Sequence, residues 1–284
     1  MKLLMFGANG QVAREVLRRR GAHEVTALGR DRADLTEPNA CARLIEATDA
    51  DVILNAAAWT AVDDAEAAEE EAAVVNGAAP AAMADAAARR DIPFIHISTD
   101  YVFSGIGDFR WTEEAATHPK CAYGWTKLAG EQGVTAAGGA YAILRTSWVF
   151  SAHGSNFVKT MLRVGEGKDR LDVVDDQIGG PTPAAAIADA CLRIAGDLAR
   201  RRGHTGVYHF SGAPNVSWRD LAIAIFEEAG MDVAVDPILT KDWPTPAARP
   251  KNSRLDCAKI LRDYGIEQPD WREGLRDVVK ELKA

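Results

Sequence analysis

The sequence predicts an α/β fold built on a doubly wound parallel sheet, followed by a smaller mixed α/β region. Three observations carry this. Short apolar runs, each ending in a polar or glycine-rich turn, alternate with helical segments through about residue 150. The first run opens the chain and passes at once through a glycine turn into a helix, a strand–turn–helix unit suited to holding a nucleotide. Beyond residue 150 the alternation loosens, and Pro237, Pro244, Pro246 and Pro250 mark extended chain.

Residues 2–6 form the first strand. Gly7-Ala8-Asn9-Gly10-Gln11-Val12-Ala13 follows, then a helix over 14–20. Gly7 permits the tight turn, and Gly10 lets backbone approach a pyrophosphate at the helix N-terminus, where free N–H groups and the dipole favour anions. Ala13 stands where a third glycine often sits, small enough for helix–sheet packing. Asn9, Gln11 and Val12 share this candidate NAD(P)-binding stretch. The second strand, 24–28, ends at Gly29-Arg30. A cation there suits the 2′-phosphate of NADPH, whereas Asp31 and Asp34 leave NADH open as a second donor; Arg30 is otherwise a solvated loop charge. Asp34-Leu35-Thr36 would bring a carboxylate and a backbone amide to the adenine.

A helix is expected over 39–48 and a third strand over 51–55. The Ala56-Ala57-Ala58-Trp59-Thr60 that follows leaves room for a nicotinamide ribose or is plain small-residue packing. A helix over 75–90 precedes the fourth strand, 94–97, which ends in Ser98-Thr99-Asp100-Tyr101. The chemistry of an open α/β sheet lies beyond the carboxyl ends of its strands, so Thr99 is delivered to the site. Tyr123 opens a further helix, with Lys127 four residues on and on the same face. A phenol holds its proton to about pH 10; a neighbouring ammonium lowers that value and makes a proton donor for carbonyl reduction. A strand over 141–145 ends in Thr146-Ser147-Trp148, where Trp148 packs either a sugar or base, or the core. Helices over 156–166, 184–201 and 218–229 and strands over 171–174 and 206–210 complete the reading, with Ser217 and Asp220 capping the last helix. Residues 1–150 are read as a Rossmann-like NAD(P)-binding domain to which later segments return, and residues 151–284 as mainly a substrate-binding domain.

Composition narrows the function. The 284 residues carry a net charge of −8, with 47% hydrophobic and 26% charged residues. The densest basic clusters, Arg18-Arg19-Arg20 and Arg200-Arg201-Arg202, end helices where cations suit the dipole, which speaks against nucleic-acid binding. Cys41, Cys121, Cys191 and Cys257 are scattered, with neither a metal-ligand spacing nor a disulfide pattern. No apolar run approaches the length of a membrane span, and Met1 leads directly into a strand. A cytoplasmic chain with no membrane partner is expected. Arg249-Pro250-Lys251-Asn252-Ser253-Arg254 is the most basic short segment, either a clamp for a phosphorylated substrate or an exposed loop.

With the glycine turn, Ser98-Thr99-Asp100 and the Tyr123/Lys127 pair, the chain resembles the extended short-chain dehydrogenase/reductases and, within them, the dTDP-4-dehydrorhamnose reductase family. Residues 6–12, 55–63, 98–103, 123–131 and 145–149 carry the likeness. Asp176-Gln177-Ile178-Gly179-Gly180-Pro181-Thr182 and residues 245–255 are its more specific part. The resemblance implies NAD(P)H-dependent reduction of the C4 ketone of dTDP-4-dehydro-β-L-rhamnose. Tyr123 would donate the proton, Lys127 would lower the Tyr123 pKa and hold the nicotinamide ribose, and Thr99 would hydrogen-bond the ketone oxygen. Ser98, Ala57, Ala58 and Thr60 would line the cofactor. Asp100, Tyr101, Trp148 and Asn156 would line the dTDP-sugar, with Arg249 and Asn252 at its nucleotide end.

Some family members form a magnesium-linked dimer through glutamates. Glu15 matches one such position, but Ala185 stands at the other, so no metal and a monomer or weak homodimer are expected. Three readings compete: a reductase of another dTDP-4-keto-6-deoxysugar, a non-catalytic NADP-binding subunit resembling methionine adenosyltransferase β, and a sugar-nucleotide epimerase or dehydratase. Tyr101, where a dehydratase would carry glutamate, weakens the last.

Overall fold

The computed structural model describes residues 1–284. The first half runs β1 (Lys2–Phe6), α1 (Gln11–Arg19), β2 (Glu24–Leu28), α2 (Pro38–Glu46), β3 (Val52–Asn55), α3 (Asp64–Ala67), α4 (Glu69–Ala73), α5 (Ala79–Arg89), β4 (Phe94–Thr99), α6 (Ala122–Ala136), β5 (Tyr141–Thr146) and β6 (Val149–Phe150). The second half runs α7 (Phe157–Gly165), β7 (Arg170–Val174), β8 (Ile178–Gly179), β9 (Thr182–Pro183), α8 (Ala184–Ala199), β10 (Gly206–His209), β11 (Val216–Ser217), α9 (Trp218–Ala229), β12 (Ala234–Ile238), β13 (Asn252–Ser253), α10 (Ala258–Tyr264) and α11 (Trp271–Lys283).

Six strands form the main sheet in the order β10-β5-β4-β3-β1-β2, and every pairing is parallel. A parallel sheet needs a crossover between neighbours and is covered on both faces. Its strands therefore read as unbroken apolar runs, yet alternate residues still serve opposite faces. Leu3, Met5, Val52, Leu54, Ile95, Ala142 and Leu144 join the core beneath α1, α8 and α10. Leu4, Phe6, Ile53, Phe94 and Ile143 join the core beneath α2 and α5. The register sets Phe6 level with Leu28 and Asn55, and Thr99 level with Thr146, so all these chain ends emerge on one rim.

A third core joins Phe150 of β6 to Val158, Leu221, Phe226, Trp271 and Leu275 from α7, α9 and α11. The parallel pair β7–β12 lies against it, with Val173 and Val235 contributing to the same core. Helix α9 keeps its expected start: Ser217 accepts the Asp220 N–H at 3.0 Å and Asp220 accepts the Ser217 N–H at 3.3 Å, a reciprocal cap. Gly230, with φ of 67°, ends it.

Helices α3, α10 and α11 were not anticipated, and two further segments depart from the expectations. Helix α1 starts at Gln11, three residues early, which brings its N-terminus directly onto the glycine turn. The helix expected over 75–90 is preceded by α4 and a π-helical turn, Val74–Ala78. That turn is pinned from outside. The Asn76 side chain accepts the Trp59 N–H at 2.9 Å and donates to the Trp59 carbonyl at 3.1 Å. Across from it, a Cβ at Gly130 would lie 2.1 Å from the Asn76 carbonyl oxygen. Single π turns of this kind cluster near functional sites.

Candidate active site

Beyond the carboxyl rim of the sheet lies a cavity of about 740 Å³, with strand ends and following turns forming much of its wall. At one end are the glycine turn and the start of α1. Gly7 has φ of +96°, and a Cβ there would meet Ala56 and Ala57 backbone at 3.1 Å. Only glycine brings these two turns together without strain. Gly10 begins α1 with no side-chain cap, leaving the first-turn N–H groups available to an anion. Gly7→Ala is expected to weaken NADPH binding by about tenfold or more, following a strain of roughly 1–3 kcal/mol; a fluorescence titration of the dinucleotide checks this.

Of the residues expected along the cofactor, Asn9, Gln11, Val12, Arg30, Asp34, Leu35, Ala57, Ala58, Thr60 and Ser98 all line this cavity. Arg30 is largely exposed and pairs with Asp34 at 3.1 Å. Asp34 also accepts the Thr36 N–H at 2.9 Å, and these bonds hold its carboxyl below the usual range. Ser98 turns its hydroxyl away, donating to Glu131 at 2.5 Å.

Thr99, Tyr123 and Lys127 line the middle of the cavity. Tyr101 meets the Tyr123 ring edge-on, with centroids 5.4 Å apart. The Thr99 hydroxyl donates to Asp100 Oδ1 at 3.1 Å and accepts the Tyr101 N–H at 3.2 Å. The ionisation expected for the pair needs correction. Burial pushes the Tyr123 hydroxyl well above the usual phenol range, and the neighbouring Thr99 hydroxyl opposes the rise. Lys127 instead directs its nitrogen to the Ile97 carbonyl at 2.7 Å and to His96 Nε2 at 3.2 Å. Burial lowers Lys127 to about 8, with Glu131 opposing.

Asp100 is buried, and its Oδ2 has no hydrogen-bond partner. Burial raises its carboxyl to about 6, opposed by Ser253 and Thr99. In the unfolded chain the group titrates near its ordinary 3.8. Its stability cost is therefore absent below 3.8, where both states are protonated, grows between 3.8 and about 6, and is complete above about 6. Asp100→Asn should raise the melting temperature at roughly pH 8 and leave it unchanged at roughly pH 3, measured by calorimetry. An equal shift at both values would exclude Asp100 as the titrating group.

At the far end, Trp148 lines the cavity and also stacks on Trp218 at 3.5 Å between centroids. Its backbone lies in the left-handed region, φ of 49°, an uncommon place for a bulky residue. Arg249 pairs with Asp63 at 2.6 Å, and its charge reaches the Tyr101 hydroxyl. Three expected substrate residues, Arg249 among them, do not line the cavity. Asn252 is buried, donating to the Phe109 carbonyl at 2.8 Å and accepting from Arg254 at 3.0 Å; it fastens two loops. Asn156 caps α7 through Lys159 and donates to Gln11 at 2.9 Å, so it steadies a cavity residue from behind.

Several cavity residues were not singled out from the sequence: Thr146 at the end of β5 and Ser147 just after it, and Gly154 and Ser155 beyond β6. The Thr146 hydroxyl is buried without a partner. Away from the cavity, Glu15 is buried, within 3.2 Å of Arg18 and of the His153 ring and 3.5 Å of Arg19.

The model of the family described as RmlD substrate binding domain matches residues 1–284. The chain is 42% identical over 289 residues to a dTDP-4-dehydrorhamnose reductase of Aggregatibacter actinomycetemcomitans, covering 98% of each chain. Among solved structures, a dTDP-4-dehydrorhamnose reductase from Clostridium acetobutylicum superposes with a TM-score of 0.93 at 36% identity, over all of both chains. A dTDP-4-dehydrorhamnose reductase from Bacillus anthracis in complex with NADP superposes with a TM-score of 0.91 at 33% identity, over 99% of each.

Proposed function

Because the chain belongs to the RmlD substrate binding domain family, we propose that it is an NADPH-dependent reductase. It converts the C4 ketone of dTDP-4-dehydro-β-L-rhamnose to the alcohol of dTDP-L-rhamnose, the last step in making that sugar nucleotide. The observation that carries this reading is the meeting of Thr99, Tyr123 and Lys127 with the Gly7–Gly10 turn in one cavity. Full-length likeness to dTDP-4-dehydrorhamnose reductases, one of them in complex with NADP, supports it.

The cavity fits the dinucleotide on its own terms. The turn that a Cβ at Gly7 would block and the uncapped start of α1 suit a pyrophosphate. Arg30, at the end of β2, suits the 2′-phosphate. NADPH, when bound, supplies the hydride to C4. The protein supplies the rest. Tyr123 donates its phenolic proton to the developing alkoxide; a raised pKa keeps that proton in place until it is needed. Thr99 turns its hydroxyl from Asp100 towards the ketone oxygen and stabilises its growing charge. Lys127 holds the nicotinamide ribose, and as an ammonium it makes the phenolate easier to form. Tyr101 and Trp148 enclose the sugar, and Arg249 serves the diphosphate. The lobe of α7, α9 and α11 is the substrate-binding part, and NADH serves as a second, weaker donor.

No helix is long and apolar enough to cross a membrane, and the four cysteines are free thiols; we place the activity in the cytoplasm, in a monomer or weak homodimer. The decisive assay follows NADPH oxidation with dTDP-4-dehydrorhamnose made in situ by a dehydratase and an epimerase. Oxidation that depends on the epimerase and yields dTDP-rhamnose is expected. Oxidation without the epimerase would assign another deoxysugar, and tight NADPH binding without oxidation would favour a regulatory subunit. Arg30→Ala should lower the NADPH-to-NADH ratio of kcat/KM by about tenfold, the worth of one exposed charge-assisted contact; an unchanged ratio would remove Arg30 from cofactor choice.

A further inference from the structure

Asn55 and His96 sit behind the Tyr123/Lys127 pair, and neither lines the cavity. Their hydrogen bonds allow a count of protons. The Ala57 N–H donates to Asn55 Oδ1 at 3.1 Å. A backbone N–H can only donate, so this tight turn decides which end of the Asn55 amide is oxygen. The amide nitrogen is left 3.1 Å from His96 Nδ1. It too can only donate, so Nδ1 carries a lone pair. Burial keeps the imidazole neutral, and its one hydrogen is then on Nε2. That hydrogen faces Lys127 Nζ at 3.2 Å, while Nζ donates to the Ile97 carbonyl at 2.7 Å. An ammonium has three donors and no acceptor; only the amine can take the Nε2 hydrogen.

We infer that Asn55 and His96 favour the uncharged amine of Lys127 in the cofactor-free chain, and that turning over the Asn55 amide is the switch that lets Lys127 become an ammonium. After the turn, His96 Nδ1–H donates to Asn55 Oδ1, Nε2 becomes an acceptor, and Lys127 gains one proton from solvent. The turn requires Asn55 to give up the Ala57 N–H. Ala57 lines the cofactor cavity, so a dinucleotide oxygen that takes this N–H releases the amide. Of the groups facing Nζ, the Ile97 carbonyl accepts in both states, and the Glu131 carboxylate on α6 favours the ammonium against the cost of burial. Asn55 and His96 are thus positioning residues. The coupling to NADPH rests on the reductase reading; the resting tautomer does not.

Long-range proton–nitrogen spectra of the ¹⁵N-histidine-labelled free chain test the tautomer. His96 should show a bare Nδ1 and a protonated Nε2; a protonated Nδ1 in the free chain overturns the inference. Calorimetric titration with NADPH above about pH 8, where the free Lys127 is largely an amine, in buffers of different ionisation enthalpy should show uptake approaching one proton; binding without uptake there overturns the switch. Asn55→Asp places acceptors at both positions, so Nδ1 should be protonated even in the free chain and proton uptake should vanish. If that variant does not fold, the two wild-type measurements still decide. A chain with the expected tautomer and uptake that fails to reduce the sugar would sink the reductase reading alone.

Discussion

Tyr123→Phe is expected to lower kcat by about 10²–10⁴-fold, the usual worth of a positioned general acid. The hydroxyl is the only atom removed, and the ring keeps its edge-on packing against Tyr101. The fold should therefore survive, and the melting temperature should change little. What is lost is a proton source beside a Thr99 hydroxyl that can steady the alkoxide but whose own proton is far too weakly acidic to give up. Steady-state NADPH oxidation across a range of pH is the measurement. A variant with near-normal turnover would pass the donor role to another group, and Asp100, buried nearby with a raised carboxyl pKa, would be the first to examine.

Glu131→Ala should cost about 3–5 kcal/mol of stability, the loss seen when one partner of a buried ion pair is removed. Arg145 donates to Glu131 through Nε at 3.0 and 3.1 Å and through Nη2 at 2.6 Å, and both side chains are buried. Removing the carboxylate leaves a guanidinium that cannot deprotonate, deep in the protein, with His209 and the Phe103 ring as its remaining neighbours. Ser98 loses its acceptor as well. Urea unfolding checks the loss, and a change below about 1 kcal/mol would mean the pair is worth no more than an exposed one. The same substitution removes the charge that favours the Lys127 ammonium, so Lys127 should lose its proton at a still lower pH.

Much of the sheet was legible because it is encoded locally. Strand β1, the Gly7 turn and α1 form one uninterrupted stretch, and each piece depends on its neighbours in sequence. Thr99 and the Tyr123/Lys127 pair were legible for the same reason: a strand end, and two residues one helical turn apart. What could not be read depends on contacts between distant segments. Spacing gave Lys127 the Tyr123 hydroxyl as a partner, whereas its hydrogen bonds come from β4, about thirty positions earlier. Asn252 and Asn156 are polar residues in loop-like stretches, and only the fold shows one buried as a fastener and the other used as a helix cap. The π turn at Asn76 exists because Trp59 holds that side chain from another loop.

The edge of the main sheet has a consequence in time. Strand β10 covers the outer side of β5, with Val207 beside Ile143 and His209 beside Arg145, yet it leaves the ribosome about sixty residues after β5 ends. At ordinary synthesis rates of ~5–20 residues per second, β5 waits roughly 3–12 s for its neighbour. For that interval it is an apolar strand with a free row of N–H and C=O groups, open to pairing with another chain. A nascent chain halted anywhere between residues 146 and 206 stays in that state for as long as it is halted.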